Sequence, residues 1–304
     1  MIRAWHQKAL KDGVKALLPF QPTLRRIKRS FFPYSTNRQN DEGLLQDVLA
    51  QIRSLRDYGA DLGGKTVVEI GTGWFPLLPL LYRLCGANVI TLDQEKLLDR
   101  HTIAEAAHFL TRRKDTIARS GVPVDWSILE GWESAAAHRD FLSGIGISYR
   151  APADFRSLPA ESADVIVSRD VLEHIPEAVL SDIFTHARRI LKPTGIMCHT
   201  IDMSDHWEHA DKSISRLNFL QYQGPLWDFA GFNPQNFQNR LRRSEYIAMF
   251  RACGFEVASA SGEADPRALA ALAGLKLCPR YAGFEANDLA TLSTTVIARN
   301  TVAH

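Results

Sequence analysis

Apolar positions along the chain fall into two periods, and their order predicts alternating helices and strands. Leu44, Leu45, Val48, Leu49, Ile52 and Leu55 recur at helical spacing within residues 42–58. A polar turn region, 59–65, separates this stripe from the short run Thr66-Val67-Val68-Glu69-Ile70, which stops abruptly at Gly71-Thr72-Gly73. An apolar, helix-compatible segment, 77–84, follows at once, and 87–93 reads as a second strand ending in Asp93. Further short strands are predicted at 147–150, 163–168, 196–201, 254–257 and 294–298, with helices at 177–191 and 244–253. Strands that alternate with helical segments in this way belong to a mainly parallel sheet covered by helices.

The junction at 66–76 carries the first chemical information. A buried strand that feeds a glycine turn and then a helix lets the backbone approach a ligand closely, while free N–H groups at the helix start face it. A dinucleotide fingerprint requires a third glycine, but the pattern here is Gly71-x-Gly73-x-x-Pro76. A phosphate loop requires Gly-Lys-Ser/Thr, which is absent. What remains is an acid within the strand, Glu69, two glycines flanking Thr72, and Asp93 twenty residues beyond Gly73. A carboxylate at the end of the second strand suits two ribose hydroxyls. The ligand class is therefore nucleotide-like.

At these residues the chain resembles class I S-adenosylmethionine-dependent methyltransferases. The resemblance strengthens at Leu172-Glu173-His174 after the fourth strand and at Leu191-Lys192-Pro193-Thr194-Gly195 before the fifth, and it covers 65–202. It implies an α/β fold of Rossmann-like type, a doubly wound, mostly parallel seven-stranded sheet, with S-adenosylmethionine as cofactor. It also implies that Asp154 accepts a hydrogen bond from the adenine amino group and that Phe155 offers its backbone N–H to the ring. The cofactor set so implied is Glu69, Gly71, Thr72, Gly73, Asp93, Asp154, Phe155 and Ser168.

Three additions to that pattern are expected. Residues 1–42 form a basic N-terminal helical arm, and 43–304 form the methyltransferase domain. Within the domain, an insertion at 99–146 holds helix-compatible stretches at 101–119 and 133–143, read either as a cover over the ligand pocket or as a purely structural insertion. A second insertion, 202–243, faces the acceptor.

The second insertion carries the acceptor chemistry. His199-Thr200-Ile201-Asp202-Met203-Ser204-Asp205-His206-Trp207-Glu208-His209 places histidines and carboxylates at and beyond the carboxyl end of a strand, where open α/β sheets bind ligands. Histidine titrates near working pH, so His206, His174 and His209 are candidate bases, with His206 preferred and Asp205 or Glu173 orienting a ring. His199, inside the strand, reads as a satisfied interior residue. The rival device is Mg2+ held by Asp170, Asp202 and Asp205, since oxygen ligands suit that ion. Arg240 and Arg242 read either as a clamp on an acidic acceptor or as a solvated helix start. Trp207, His209 and Trp227, with Phe229 and Phe232, suit a sugar face or a core. The order Asp-x-Ser-Asp-His, aromatic patch, Asn-Arg-Leu-Arg resembles methyltransferases of bacterial surface-polysaccharide genes. That resemblance implies O-methylation of a saccharide, lipid- or nucleotide-linked, with a quinone-like or aromatic acceptor as the alternative within the enzyme class and a non-catalytic cofactor-binding scaffold as the alternative outside it.

Composition narrows the setting. In 304 residues, 45% hydrophobic and 23% charged content is ordinary for a folded domain with a sizeable core. No apolar run is long enough to span a membrane. Cys85, Cys198, Cys253 and Cys278 are far apart and read as free thiols in a reducing cytoplasm. The net charge of +2 hides an asymmetry, because residues 1–38 contain nine Lys/Arg against one acid, Asp12, and the remainder is net acidic. The arm lacks the apolar core and cleavage site of a signal peptide. Its basic-apolar alternation suits an anionic membrane face, or a helix pair packed on the domain. A net-acidic domain without an amine-binding Pro-Pro-aromatic motif argues against nucleic acid as acceptor.

Overall fold

The computed structural model describes residues 4–16, 38–132, 141–224, 227 and 236–300. The basic stretch 24–32, most of the predicted helix at 133–143, and Phe229, Phe232 and Asn233-Pro234 lie outside them.

Seven strands form one sheet: β1 (Thr66–Ile70), β2 (Asn88–Leu92), β3 (Ile147–Arg150), β4 (Ala163–Arg169), β5 (Leu191–Asp202), β6 (Phe255–Ser261) and β7 (Ser293–Asn300). Their order is β3-β2-β1-β4-β5-β7-β6. All neighbours are parallel except β7, which runs against β5 and β6. The chain reverses its direction of travel across the sheet between β3 and β4, which opens a crevice at the carboxyl ends of β1 and β4.

Strand side chains point alternately to opposite faces, and both faces here are covered. Val67, Val165 and Val167 join one core with α2 (Arg38–Asp57), α3 (Leu77–Leu84) and α4 (Arg100–Thr111). Val68 and Ile166 join the other core with α7 (Glu177–Ile190) and α8 (Arg243–Ala252). The helical stripe Leu45, Val48, Leu49, Ile52 and Leu55 is fully buried. Gln51 on the same face donates to the carbonyls of Ser168 and Cys198 and accepts from the Tyr82 hydroxyl, pinning α2 to β4 and β5.

A third, aromatic cluster joins Trp5 and Ala9 of α1 (Ala4–Ala16) to Trp207, Leu217, Phe219, Trp227 and Tyr281. The apolar residues Trp5 and Ala9 thus face the protein, and Asp211 accepts a hydrogen bond from the Trp5 N–H at the helix start. Among the described residues no helix is long and apolar enough to cross a membrane. All four cysteines are free.

Two expectations change. The Lys192-Pro193-Thr194-Gly195 segment belongs to β5, which begins at Leu191 rather than Ile196. Its pairing with β4 jumps from Ala163↔Leu191 to Val165↔Ile196, so the Pro-Gly segment is an irregularity within the ladder, where proline is tolerated. The insertion after β2 breaks into α4, α5 (Lys114–Arg119) and α6 (Phe141–Gly144). Phe109, Leu110 and Phe141 pack into the first core. None of its described residues lines the cavity at the glycine turn.

Candidate functional site

The crevice holds a cavity of about 560 Å³ bounded by Gly71, Gly73, Trp74, Asp93, Phe155 and Val171, with Asp170 and His174 at one side. Gly71 and Gly73 have φ of +79° and +65°, values that favour glycine. The Gly71 N–H donates to the Leu92 carbonyl at 2.8 Å, and the Gly73 N–H donates to Asp93 Oδ2 at 2.8 Å. Asp93 therefore closes the turn and borders the cavity. Burial raises its carboxyl above the ordinary value, and the N–H of Gly73 opposes that rise.

Glu69 lies beneath the turn, 2% exposed, where it accepts from the Thr91 hydroxyl, which in turn pairs with Thr72. Burial pushes its pKa to about 8. Glu69 and Thr72 are absent from the cavity wall and lie beneath the turn that forms it, whereas direct cofactor contact was expected of both. Ser168 likewise lies away from the wall. It is fully buried, its hydroxyl pairs with His199 Nδ1 at 2.7 Å, and it does not line the cavity. Asp154 sits at the rim and is exposed, capping a short turn by accepting from the Arg156 N–H at 2.9 Å.

After β4 the chain turns sharply. Asp170 adopts φ +51°, a left-handed conformation that Asp tolerates at some cost. Burial raises its pKa to about 6 against the attraction of Arg169, which it meets at 2.8 Å. The Leu172-Glu173-His174 turn follows. Glu173 is 2% exposed and neither carboxylate oxygen has a hydrogen-bond partner. Burial drives its carboxyl well above the usual range. His174 borders the cavity, and its Nδ1 meets the Phe237 carbonyl at 2.8 Å, while burial lowers its pKa.

The loop beyond β5 brings His206 to the same place. His174 and His206 have ring centroids 5.0 Å apart, tilted by 54°, and His209 stacks on His206 at 5.5 Å. Asp202 Oδ2 lies 3.2 Å from His206 Nε2. Burial raises the Asp202 pKa, but hydrogen bonds from His206 and Ser204 outweigh it and leave the group near 2. An ionised carboxylate behind an imidazole fixes the ring and stabilises its protonated form. His206, Trp207 and His209 also line a second cavity of about 360 Å³ with Lys8 and Asn236. The histidine pair stands where the two cavities approach each other.

Several expected roles do not survive this geometry. Asp205 is 1% exposed and turned inward, accepting from the Trp207 N–H and the Asn218 amide, so it caps a turn. Among the described residues Asp170, Asp202 and Asp205 consequently form no ligand cluster, whereas Glu173, His174 and His206 do. Arg242 is completely buried and donates to the carbonyls of Met203, Leu289 and Thr291. Arg240 donates to the carbonyls of Phe219 and Tyr222 and lies over the Trp227 ring at 4.3 Å. Both arginines brace the insertion instead of clamping an acceptor, and Trp227, 6% exposed, belongs to the core. Trp207 is 4% exposed and offers the second cavity only an edge.

The residues that hold the site together were not singled out in the sequence. Asn239 donates to the carbonyls of Leu172 and Ile175, and its N–H donates to the Glu173 carbonyl. Gln238 accepts from the His206 N–H and donates to the Ser204 carbonyl. With Phe237 on His174, residues 237–239 strap both histidine loops. Adjacent amide side chains just before a helix, Gln238 and Asn239, are a faint signal for such a strap.

The chain belongs to a family whose model is described as a methyltransferase domain, which matches residues 6–260. Together with the sheet order and the glycine turn, this makes the protein a class I S-adenosylmethionine-dependent methyltransferase. Among solved structures, it is similar to an S-adenosylmethionine-dependent methyltransferase from Mesorhizobium loti (15% identity, 83% of this chain and 98% of that one, TM-score 0.47). It is also similar to phosphoethanolamine N-methyltransferase 2 from Haemonchus contortus in complex with S-adenosyl-L-methionine (15% identity, 83% and 52%, TM-score 0.46). A methyltransferase from Methanosarcina mazei matches at 14% identity over 82% and 97%, with a TM-score of 0.45. No curated protein matches the chain.

Proposed function

We propose that this methyltransferase transfers the methyl group of S-adenosylmethionine to a hydroxyl oxygen of a saccharide. The observation that carries the reading is the Asp202–His206 dyad beside His174, where the cofactor cavity and the second cavity approach each other. The sulfonium methyl is already activated toward in-line attack, so the protein's work is alignment and removal of the acceptor proton. An amine attacks through a lone pair it already has, whereas a sugar hydroxyl must lose a proton whose pKa lies far above neutrality. The dyad answers that need. His206 takes the proton, and ionised Asp202 holds the ring and stabilises the imidazolium, a contribution of about 10²–10⁴-fold.

In this reading the cofactor lies along the turn. The Asp93 carboxylate faces the ribose, the glycine backbone approaches the methionyl portion, and Phe155 borders the adenine end. Lys8, His209 and Asn236 offer the second cavity hydrogen-bonding heads, and Trp207 adds an apolar edge, a set suited to a polyol with a C–H face.

The test is an acceptor screen with methyl-labelled cofactor over nucleotide- and lipid-linked sugars, run beside catechol-type acceptors. Labelled sugar is the expected product. His206→Ala lowers turnover at least tenfold and leaves affinity for S-adenosylhomocysteine unchanged. Methylation confined to aromatic hydroxyls, or turnover indifferent to His206, overturns the reading.

A further inference from the structure

We propose that Glu173, His174 and His206 form a binding site for one first-row divalent cation of the zinc type, set between the two cavities. One carboxylate oxygen of Glu173 and one ring nitrogen of each histidine lie within 4.8 Å of one another. Metal–ligand bonds of about 2.0–2.2 Å place two ligand atoms roughly 3–4 Å apart, so small side-chain rotations close the set around an ion.

The independent sign is Glu173. A carboxyl group 2% exposed, with no hydrogen bond of normal geometry on either oxygen and only the backbone N–H groups of Glu173 and Asp202 acting on it, is a feature that a bound cation stabilises. Its nearest basic atom is His174 Nε2, 4.0 Å from Oε1. Each ring has one nitrogen engaged by a carbonyl or carboxylate, as metal-binding imidazoles commonly do. His174 Nδ1–H donates to the Phe237 carbonyl and leaves the Nε2 lone pair free. His206 Nε2–H donates to Asp202 and leaves the Nδ1 lone pair. The strap at 237–239 fixes both loops, so the three groups are held in place before an ion arrives.

Two nitrogens and one oxygen favour Zn2+, Co2+ or Mn2+ over Mg2+, which prefers an all-oxygen shell. Three protein ligands leave a fourth position for an acceptor oxygen, whose proton a Lewis acid makes easier to remove. That consequence rests on the hydroxyl-acceptor reading; the binding itself does not. A His206 lone pair given to a cation cannot also accept a proton, so the loaded and the metal-free protein lower the hydroxyl barrier by different means.

The experiment uses the full chain, stripped with a chelator and dialysed, then titrated with Co2+ and followed by visible d–d absorption. Zn2+ stoichiometry is measured separately by elemental analysis, and each sample is also titrated with S-adenosylhomocysteine. The expected result is one ion per chain. Affinity falls at least tenfold in Glu173→Gln and in His206→Ala, and about 10–100-fold in Asp202→Asn, which touches no ion. No equimolar binding, or binding indifferent to both Glu173→Gln and His206→Ala, overturns the site. Retained homocysteine-ligand binding in that case leaves the methyltransferase reading standing, so the two failures are distinguishable.

Discussion

Gly71 and Gly73 have similar backbone conformations, yet the structure predicts that alanine at the two positions has unequal effects. Placing a non-glycine residue at positive φ costs about 1–2 kcal/mol at either site. At Gly73 a Cβ meets nothing within 4 Å, so that backbone cost is the whole loss. At Gly71 a Cβ lies 2.5 and 2.7 Å from the two γ-carbons of Val171, whose branched side chain has little rotamer freedom. Such overpacking adds about 1–3 kcal/mol, giving a total near 2–5 kcal/mol for Gly71→Ala. Val171 also borders the cofactor cavity, so its displacement weakens ligand binding as well. Urea unfolding of Gly71→Ala, Val171→Ala and the double variant isolates the clash as a coupling of about 1–3 kcal/mol, because removing the valine branches relieves it. Coupling below about 0.5 kcal/mol, or a Gly73→Ala loss as large as that of Gly71→Ala, refutes the reasoning.

Other outcomes follow from buried charge. Glu69, with a pKa of about 8 in the fold against an ordinary 4.5, keeps a proton that the unfolded chain releases. Stability therefore falls as pH rises from about 4.5 to about 8 and levels above, by a few kcal/mol at most. Glu69→Gln removes that slope in urea unfolding at several pH values; an unchanged slope contradicts the assignment. Arg242→Met strips three buried carbonyls of their donor and is expected to cost about 3–5 kcal/mol in thermal unfolding, with the ligand affinity of the folded protein unchanged. A loss confined to ligand affinity would instead return Arg242 to the acceptor site.

The elements that were legible in the sequence are those whose signals are local. Thr66–Ile70, the two glycines and Leu77–Leu84 announce strand, turn and helix within twenty residues, and Asp93 is placed by the spacing of the next strand. The helical stripe of α2 also stands as predicted, because its burial follows from periodicity alone. What was not legible depends on partners far along the chain. Arg242 in an Arg-x-Arg run looks like a solvated or anion-binding group until carbonyls 39 to 49 residues away surround it. Lys192-Pro193-Thr194-Gly195 has the composition of a turn, and only its register against β4 places it in a strand. The turn after β4 and the acceptor loop offered several acids of similar local appearance. Packing turned Asp205 inward as a cap, left Asp202 behind His206, and buried Glu173 without a partner. No pattern in the sequence distinguishes those three fates.

The most direct test of the account is calorimetric titration of S-adenosylhomocysteine into the natural chain and into Asp93→Ala. The account predicts one site per chain and a loss of about tenfold or more in the variant, because a charged hydrogen bond to the ribose and the anchor of the Gly73 N–H disappear together. Absence of binding to the natural chain, or equal affinity in the two proteins, contradicts the placement of the cofactor at the glycine turn.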